Sequence, residues 1–163
     1  SVGKTILTQK LSNYFQTNFV EEYGRTVYEE NGNMVTIDDF VPISSGRQIL
    51  ENTKIKESNK VIFCDTEDIT TWIFCKLFCP KEYNRLERWF QNKISTYDLY
   101  ILLKPDCDSI QDGTRCFLES RKDHYQIIKE ELQKRNCNFY EIGGDWDERF
   151  YQSIKILKEK FNI

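Results

Sequence analysis

Ser1-Val2-Gly3-Lys4-Thr5 opens onto a stretch, Lys4–Phe15, whose apolar residues Leu7, Leu11, Tyr14 and Phe15 recur at the spacing of one helix face. Gly3-Lys4-Thr5 supplies the last three letters of the phosphate-binding loop GxxxxGK[ST], without its first glycine. In such a loop, backbone amides at a helix N-terminus receive phosphate oxygens. Lys4 then reaches the β and γ phosphates, and the Thr5 hydroxyl coordinates magnesium. Three letters alone are also an ordinary polar helix start, so their meaning depends on the rest of the chain.

Apolar runs alternate with helix-period stretches from there to the end of the chain. Phe19–Val20 is a short strand ending at Glu21-Glu22-Tyr23. Asp38–Ser58 reads as a helix, with Pro42 in its first turn. Val61-Ile62-Phe63-Cys64 is a continuous apolar run stopping at Asp65, which suits a parallel strand covered on both faces. Ile69–Phe78 and Tyr83–Ile94 read as helices, and Leu99–Leu103 as a second long strand. A polar stretch, Asp106–Ser120, precedes a helix carrying Tyr125, Ile128 and Leu132 on one face. Phe139–Ile142 is the last strand, and Phe150, Ile154, Leu157 and Phe161 mark a closing helix. This alternation predicts a doubly wound α/β sheet with ligands at the carboxyl ends of the strands. A polar connection as long as 106–120 has the character of a lid.

Composition removes other classes. In 163 residues, 39% hydrophobic and 30% charged describe a globular chain, and one domain over 1–163 accommodates them. Lys plus Arg is 23 against Asp plus Glu 26, a net charge of −3, so no domain-wide basic field exists to hold nucleic acid. No apolar run approaches the roughly 20 residues of a membrane span. The cysteines Cys64, Cys75, Cys79, Cys107, Cys116 and Cys137 form no CxxC pair, and His124 is the one histidine, so zinc-ligand spacing is missing. Reduced core thiols suit a cytoplasmic protein.

Asp65-Thr66-Glu67 comes directly after the apolar run 61–64. A carboxylate at that strand tip faces the ligand crevice, where it can hold magnesium; the other reading is a cap for the next helix. Glu22 closes the preceding strand beside Tyr23 and Arg25, and can accept a proton from a substrate hydroxyl or stand as a surface charge. Arg115 and Arg121, in and after the polar stretch, can close over a transferring phosphoryl group or be plain loop arginines. A switch GTPase fits poorly, because the DxxG and NKxD segments are missing and Asp65-Thr66-Glu67-Asp68 and Leu103-Lys104-Pro105-Asp106 stand instead. A small-molecule kinase fits better.

Taken together, these segments resemble the ribosylnicotinamide kinase domain of the NadR family, P-loop kinases of nicotinamide riboside. The resemblance covers nearly the whole chain. It is carried by Ser1–Thr5, Glu22-Tyr23-Gly24-Arg25, Asp38-Asp39-Phe40 with Gly46-Arg47-Gln48, Asp65-Thr66-Glu67 with Thr70-Thr71, Ile101-Leu102-Leu103, and Asp112-Gly113 with Arg115.

It implies transfer from ATP, with magnesium, to nicotinamide riboside, giving nicotinamide mononucleotide. Alternatives are a kinase of another nucleoside or small nucleotide, or a non-catalytic NTP-binding regulatory module. Under the resemblance Ser1, Val2, Gly3, Lys4 and Thr5 bind the ATP phosphates, and Thr5 and Asp65 hold magnesium. Glu22 or Asp65 is the base toward the ribose 5′-hydroxyl, Tyr23, Arg25, Asp39, Gln48 and Thr66 line the acceptor site, and Arg115 and Arg121 belong to a lid over about 106–122. Glu21 stands where familiar members carry an aromatic residue, and Glu67 where they carry a second aspartate. The family also implies a sheet of order 2-3-1-4-5 with helices on both faces, and often a fused adenylyltransferase domain. Residues 1–163 hold no counterpart of strand 1, so the protein is expected to extend upstream of Ser1 by about 7–10 residues, enough for a typical strand plus a GxxSxGKT-like start.

Overall fold

The computed structural model describes residues 3–92, 97–106 and 121–163. In chain order the elements are α1 (Lys4–Phe15), β1 (Phe19–Val20), α2 (Tyr23–Glu30), α3 (Phe40–Lys54), β2 (Phe63–Cys64), α4 (Asp68–Phe78), α5 (Glu87–Asn92), β3 (Tyr100–Leu103), α6 (Arg121–Lys134), β4 (Phe139–Ile142) and α7 (Trp146–Phe161). All strand pairing among them is parallel. Phe19 and Val20 lie opposite Phe63 and Cys64, and Tyr100–Leu103 lie opposite Phe139–Ile142.

Alternation along β3 and β4 sorts their side chains onto two helical layers. Leu103 and Ile142 pack with Leu7 and Leu11 of α1 and Ile154 and Leu157 of α7. Leu102 points the other way, into a cluster with Ile69 and Ile73 of α4 and Leu132 of α6. A further cluster, built around Phe40, Trp72 and Phe90, joins α3, α4 and α5; Trp72 and Phe90 stack with ring centroids 5.2 Å apart. The sheet thus carries helices on both faces, the P-loop kinase architecture.

In the order 2-3-1-4-5 the four strands occupy positions 2, 3, 4 and 5. The pairs β1-β2 and β3-β4 share no ladder among the described residues.

Several boundaries differ from the sequence reading. Residues 23–30 form a helix that periodicity did not reveal, because no position along it is buried. The helix expected over 38–58 is α3 flanked by 3-10 turns at Ile37–Asp39 and Ile55–Glu57, with Pro42 in its first turn as expected. The helix expected over 83–94 opens as a 3-10 turn, Tyr83–Leu86, before α5. Of the apolar run 61–64 only Phe63 and Cys64 join a ladder, since β1 offers only Phe19 and Val20 to pair with. Of the segment read as a lid, residues 107–120 lie outside the described residues, and Arg121 begins α6. No helix among the described residues is long and apolar enough to cross a membrane.

Candidate active site

Gly3 sits at φ +81°, the left-handed region open to glycine, and its carbonyl accepts the first bond of α1 from the Leu7 amide at 3.0 Å. Lys4 and Thr5 therefore occupy the first helical turn, where backbone amides have no helical partner. Across from them, the Asp65 amide bonds the Val20 carbonyl at 2.8 Å, which carries the β1-β2 ladder one step further and fixes Asp65 at the strand tip. The Thr5 hydroxyl donates to Asp65 Oδ2 in a short bond. Asp65 is 1% exposed, and its Oδ1 has no hydrogen-bond partner among the described residues. Burial pushes its carboxyl above the ordinary range, even though Lys4 and the Thr5 bond act in the other direction.

The next residues hold this tip in place. Thr66 lies at φ +74°, a conformation that costs a β-branched residue on the order of 1–3 kcal/mol and persists where the surroundings enforce it. Glu67 caps α4. Its carboxylate accepts from the Ile69 amide (2.6 Å), the Thr70 amide (2.9 Å) and the Thr70 hydroxyl (3.0 Å). The cap that sequence allowed for Asp65 or Thr66 is thus made by Glu67, which frees Asp65 to face the crevice.

Lys4, Thr5, Glu22, Arg25, Asp65, Thr66 and Arg121 line one cavity. Glu22 precedes α2 and pairs with Arg25 at 3.0 Å. One wall of the cavity is aromatic. Tyr28 meets Phe78 at 6.2 Å, Phe78 meets Phe74 at 6.0 Å, and Phe74 meets His124 edge-on at 5.1 Å. Burial, and then the Lys4 charge, lowers the His124 pKa, so the ring is neutral at pH 7.

Other expected residues stand outside that lining. Tyr23 lays its ring over Gly46, where a Cβ would collide with it, and so packs α2 on α3. Asp39 closes a capping box with Thr36, accepting from its amide at 2.7 Å and its hydroxyl at 2.9 Å. Gln48 is exposed. Its neighbour Arg47, 4% exposed, is the residue that reaches the cavity, bonded to Asp68 (2.9 Å), Glu51 (2.5 Å) and the Tyr97 hydroxyl (2.6 Å). Sequence held a signal for this. Phe40, Ile43, Ser44 and Arg47 keep the i, i+3, i+4, i+7 pattern of an inward face, and all of them are buried. Glu21 points to Lys54, at 2.5 Å. Ser1, Val2 and Arg115 lie outside the described residues.

Comparison with known proteins gives concordant results. A family model described as an AAA domain matches residues 1–149. The trifunctional NAD biosynthesis/regulator protein NadR of Escherichia coli (strain K12) is 31% identical over 166 residues, covering 98% of this chain and 40% of that protein. The protein of the same name from Salmonella typhimurium (strain LT2) is likewise 31% identical, with the same coverage. The chain therefore spans about 40% of the length of these curated relatives. Among solved structures, a NadR protein in complex with NR superposes with a TM-score of 0.86 at 26% identity, covering 99% of this chain and 49% of that one. A NadR protein in complex with NAD and AMP-PNP superposes with a TM-score of 0.84 at 24% identity, a likeness of fold.

Proposed function

Because the chain belongs to the AAA domain family, we propose that it is an ATP-dependent kinase that phosphorylates the 5′-hydroxyl of nicotinamide riboside, giving nicotinamide mononucleotide and ADP. The observation that carries this reading is the Thr5–Asp65 contact at the head of α1, with the second Asp65 oxygen unpartnered and Glu22 in the same cavity. The names of the curated relatives and the NR-bound neighbour agree with it.

Lys4 places a full positive charge where the β and γ phosphates lie, and stabilises the charge that builds on the transferring group. The residues fit magnesium. A threonine hydroxyl and an orphaned buried carboxylate oxygen make a hard oxygen site, and magnesium needs only one or two carboxylates beside the phosphates. When bound there, magnesium neutralises phosphate charge.

Glu22 accepts the proton of the ribose hydroxyl, and Arg25 holds the Glu22 carboxylate in place. Arg121 contributes positive charge from the start of α6, and the resemblance implies the same for Arg115 and phosphate binding for Ser1 and Val2. Nicotinamide riboside carries a cationic ring, which the faces of Tyr28, Phe74 and Phe78 favour electrostatically. That wall supplies the aromatic surface which Glu21, turned toward Lys54, does not. Tyr23, Asp39 and Gln48 act on the acceptor only through the α2–α3 frame. The trifunctional relatives are consistent with an adenylyltransferase joined to or associated with this domain, to consume the mononucleotide it makes.

The test is ADP release from ATP across a panel of nicotinamide riboside, uridine, cytidine and adenosine, with product masses. Release dependent on nicotinamide riboside is expected. Faster turnover of another nucleoside would replace the acceptor, and no release with any acceptor would leave an NTP-binding module.

A further inference from the structure

The turn between β4 and α7 lies against the phosphate loop, and its construction is unusually fixed. Asp145 Oδ1 accepts from the Asp147 amide (3.0 Å) and the Glu148 amide (2.9 Å), while Glu148 Oε2 accepts from the Asp145 amide (2.9 Å). Gly144 stands at φ +94°. The Arg149 guanidinium, 1% exposed, donates from Nε to the Gly144 carbonyl (2.8 Å) and from Nη2 to the Lys104 carbonyl (2.9 Å), and it pairs with Asp106 Oδ1. The other Asp106 oxygen accepts from the Gly144 amide at 3.0 Å. The ends of β3 and β4 are thereby tied together at one charge pair whose arginine is buried and whose aspartate is half-exposed.

What this holds in place is Trp146, the first residue of α7. Its indole lies against Gly3 so closely that a Cβ at Gly3 would collide with the ring. Glycine at position 3 thus answers two demands, a left-handed backbone and room for the indole. Trp146 braces the residue whose backbone orients the start of α1, and Lys10 of α1 faces Asp147 at 4.0 Å in the same seam.

We infer that Trp146, held by the Asp106–Arg149 pair, is a positioning residue for the nucleotide: it sets the backbone of Gly3 and hence the amides that receive the phosphates. The inference rests on the kinase reading above, because it supposes that a triphosphate occupies the loop. None of Asp106, Gly144, Trp146 and Arg149 lines the cavity that holds Glu22 and Asp65, so they act on the nucleotide and not on the nucleoside.

The experiment measures AMP-PNP affinity by calorimetry with magnesium present, and KM and kcat for both substrates, in the full-length protein. The variants are Trp146→Ala, Trp146→Phe and Asp106→Asn. Trp146→Ala and Asp106→Asn are expected to weaken AMP-PNP and raise KM for ATP by about tenfold, the scale of a small misplacement of binding groups. kcat should fall much less, and KM for nicotinamide riboside should stay within about twofold of the wild type, below the factor a lost contact produces. Trp146→Phe, which keeps a ring on Gly3, should recover most of the affinity. A purely structural role would lower the melting temperature and leave these ratios alone. Asp106 is 43% exposed, so its variant remains testable should Trp146→Ala fail to fold. AMP-PNP affinity unchanged in a folded Asp106→Asn protein, or an equal rise in both KM values, overturns the inference. A wild-type protein that binds no AMP-PNP overturns the kinase reading itself.

Discussion

Replacing Asp65 by asparagine should raise the melting temperature of the ligand-free protein while ending phosphoryl transfer. The carboxylate is 1% exposed, with one oxygen bonded by Thr5 and the other orphaned. Asparagine keeps the Thr5 bond on its amide oxygen and puts its NH2 in the orphaned place. What it removes is the buried negative charge, whose desolvation costs several kcal/mol, against about 1 kcal/mol lost in turning a charge-assisted bond into a neutral one. The direction of the pKa decides the sign. Burial holds the folded carboxyl above its ordinary value of 3.8, so folding favours the uncharged form. The unfolded chain loses its proton first as pH rises, and wild-type stability declines from pH 3.8 up to the raised folded value, a decline that Asp65→Asn lacks. The net gain at neutral pH is about 1 kcal/mol, or about 2–4 °C in a domain of this length.

Magnesium and AMP-PNP should reverse the ranking. A ligand at a hundred times its Kd adds about 2.7 kcal/mol to the wild type, and the variant should lose most of that increment. Differential scanning calorimetry of both proteins, with and without magnesium and AMP-PNP, reads each of these contributions. An asparagine variant melting several degrees lower would make Asp65 a structural tie, and one stabilised by ligand as strongly as wild type would remove it from the metal site.

Lys4→Ala should lower kcat by at least about 10²–10³-fold with the fold intact, as removal of a transition-state charge partner does, whereas Glu22→Gln should lower kcat at saturating magnesium; steady-state kinetics with circular dichroism checks both. Arg47→Met strips the partner from the buried Asp68 and should destabilise by about 3–5 kcal/mol, read by urea denaturation. Burial works to raise the Asp106 carboxyl, but the Gly144 amide and Arg149 outweigh it and hold it below 3.8, so its stabilisation is complete above that pH and lost as pH falls through the lower folded value. Melting temperatures of wild type and Asp106→Asn should therefore differ near neutral pH and converge in strong acid.

Long amphipathic segments were legible in the sequence because their periodicity comes from burial itself. The stretch 4–15 is α1 to the residue, and 139–142 is β4. Asp65 was legible for a related reason, since an apolar run stopping at a carboxylate marks a strand tip in this fold. What escaped depended on partners distant in the chain. Tyr23, which the resemblance places at the acceptor, packs its ring on Gly46, a contact without local signature. Glu67 took the cap left open to Asp65 or Thr66 because only the left-handed Thr66 turns it back onto α4. The resemblance names Gln48 for the acceptor site, whereas the helical step puts its neighbour Arg47 on the buried face. His124 carries no signal in the sequence beyond being the one histidine, and the fold brings it to the cavity beside Phe74.

Phosphorus NMR of the full-length protein with ATP, magnesium and nicotinamide riboside decides whether this site transfers a phosphoryl group to that acceptor. A phosphomonoester resonance on the ribose 5′-oxygen should grow with stoichiometric ADP, and should be absent in Lys4→Ala. ATP loss that yields inorganic phosphate at the same rate with and without the riboside would contradict the assignment.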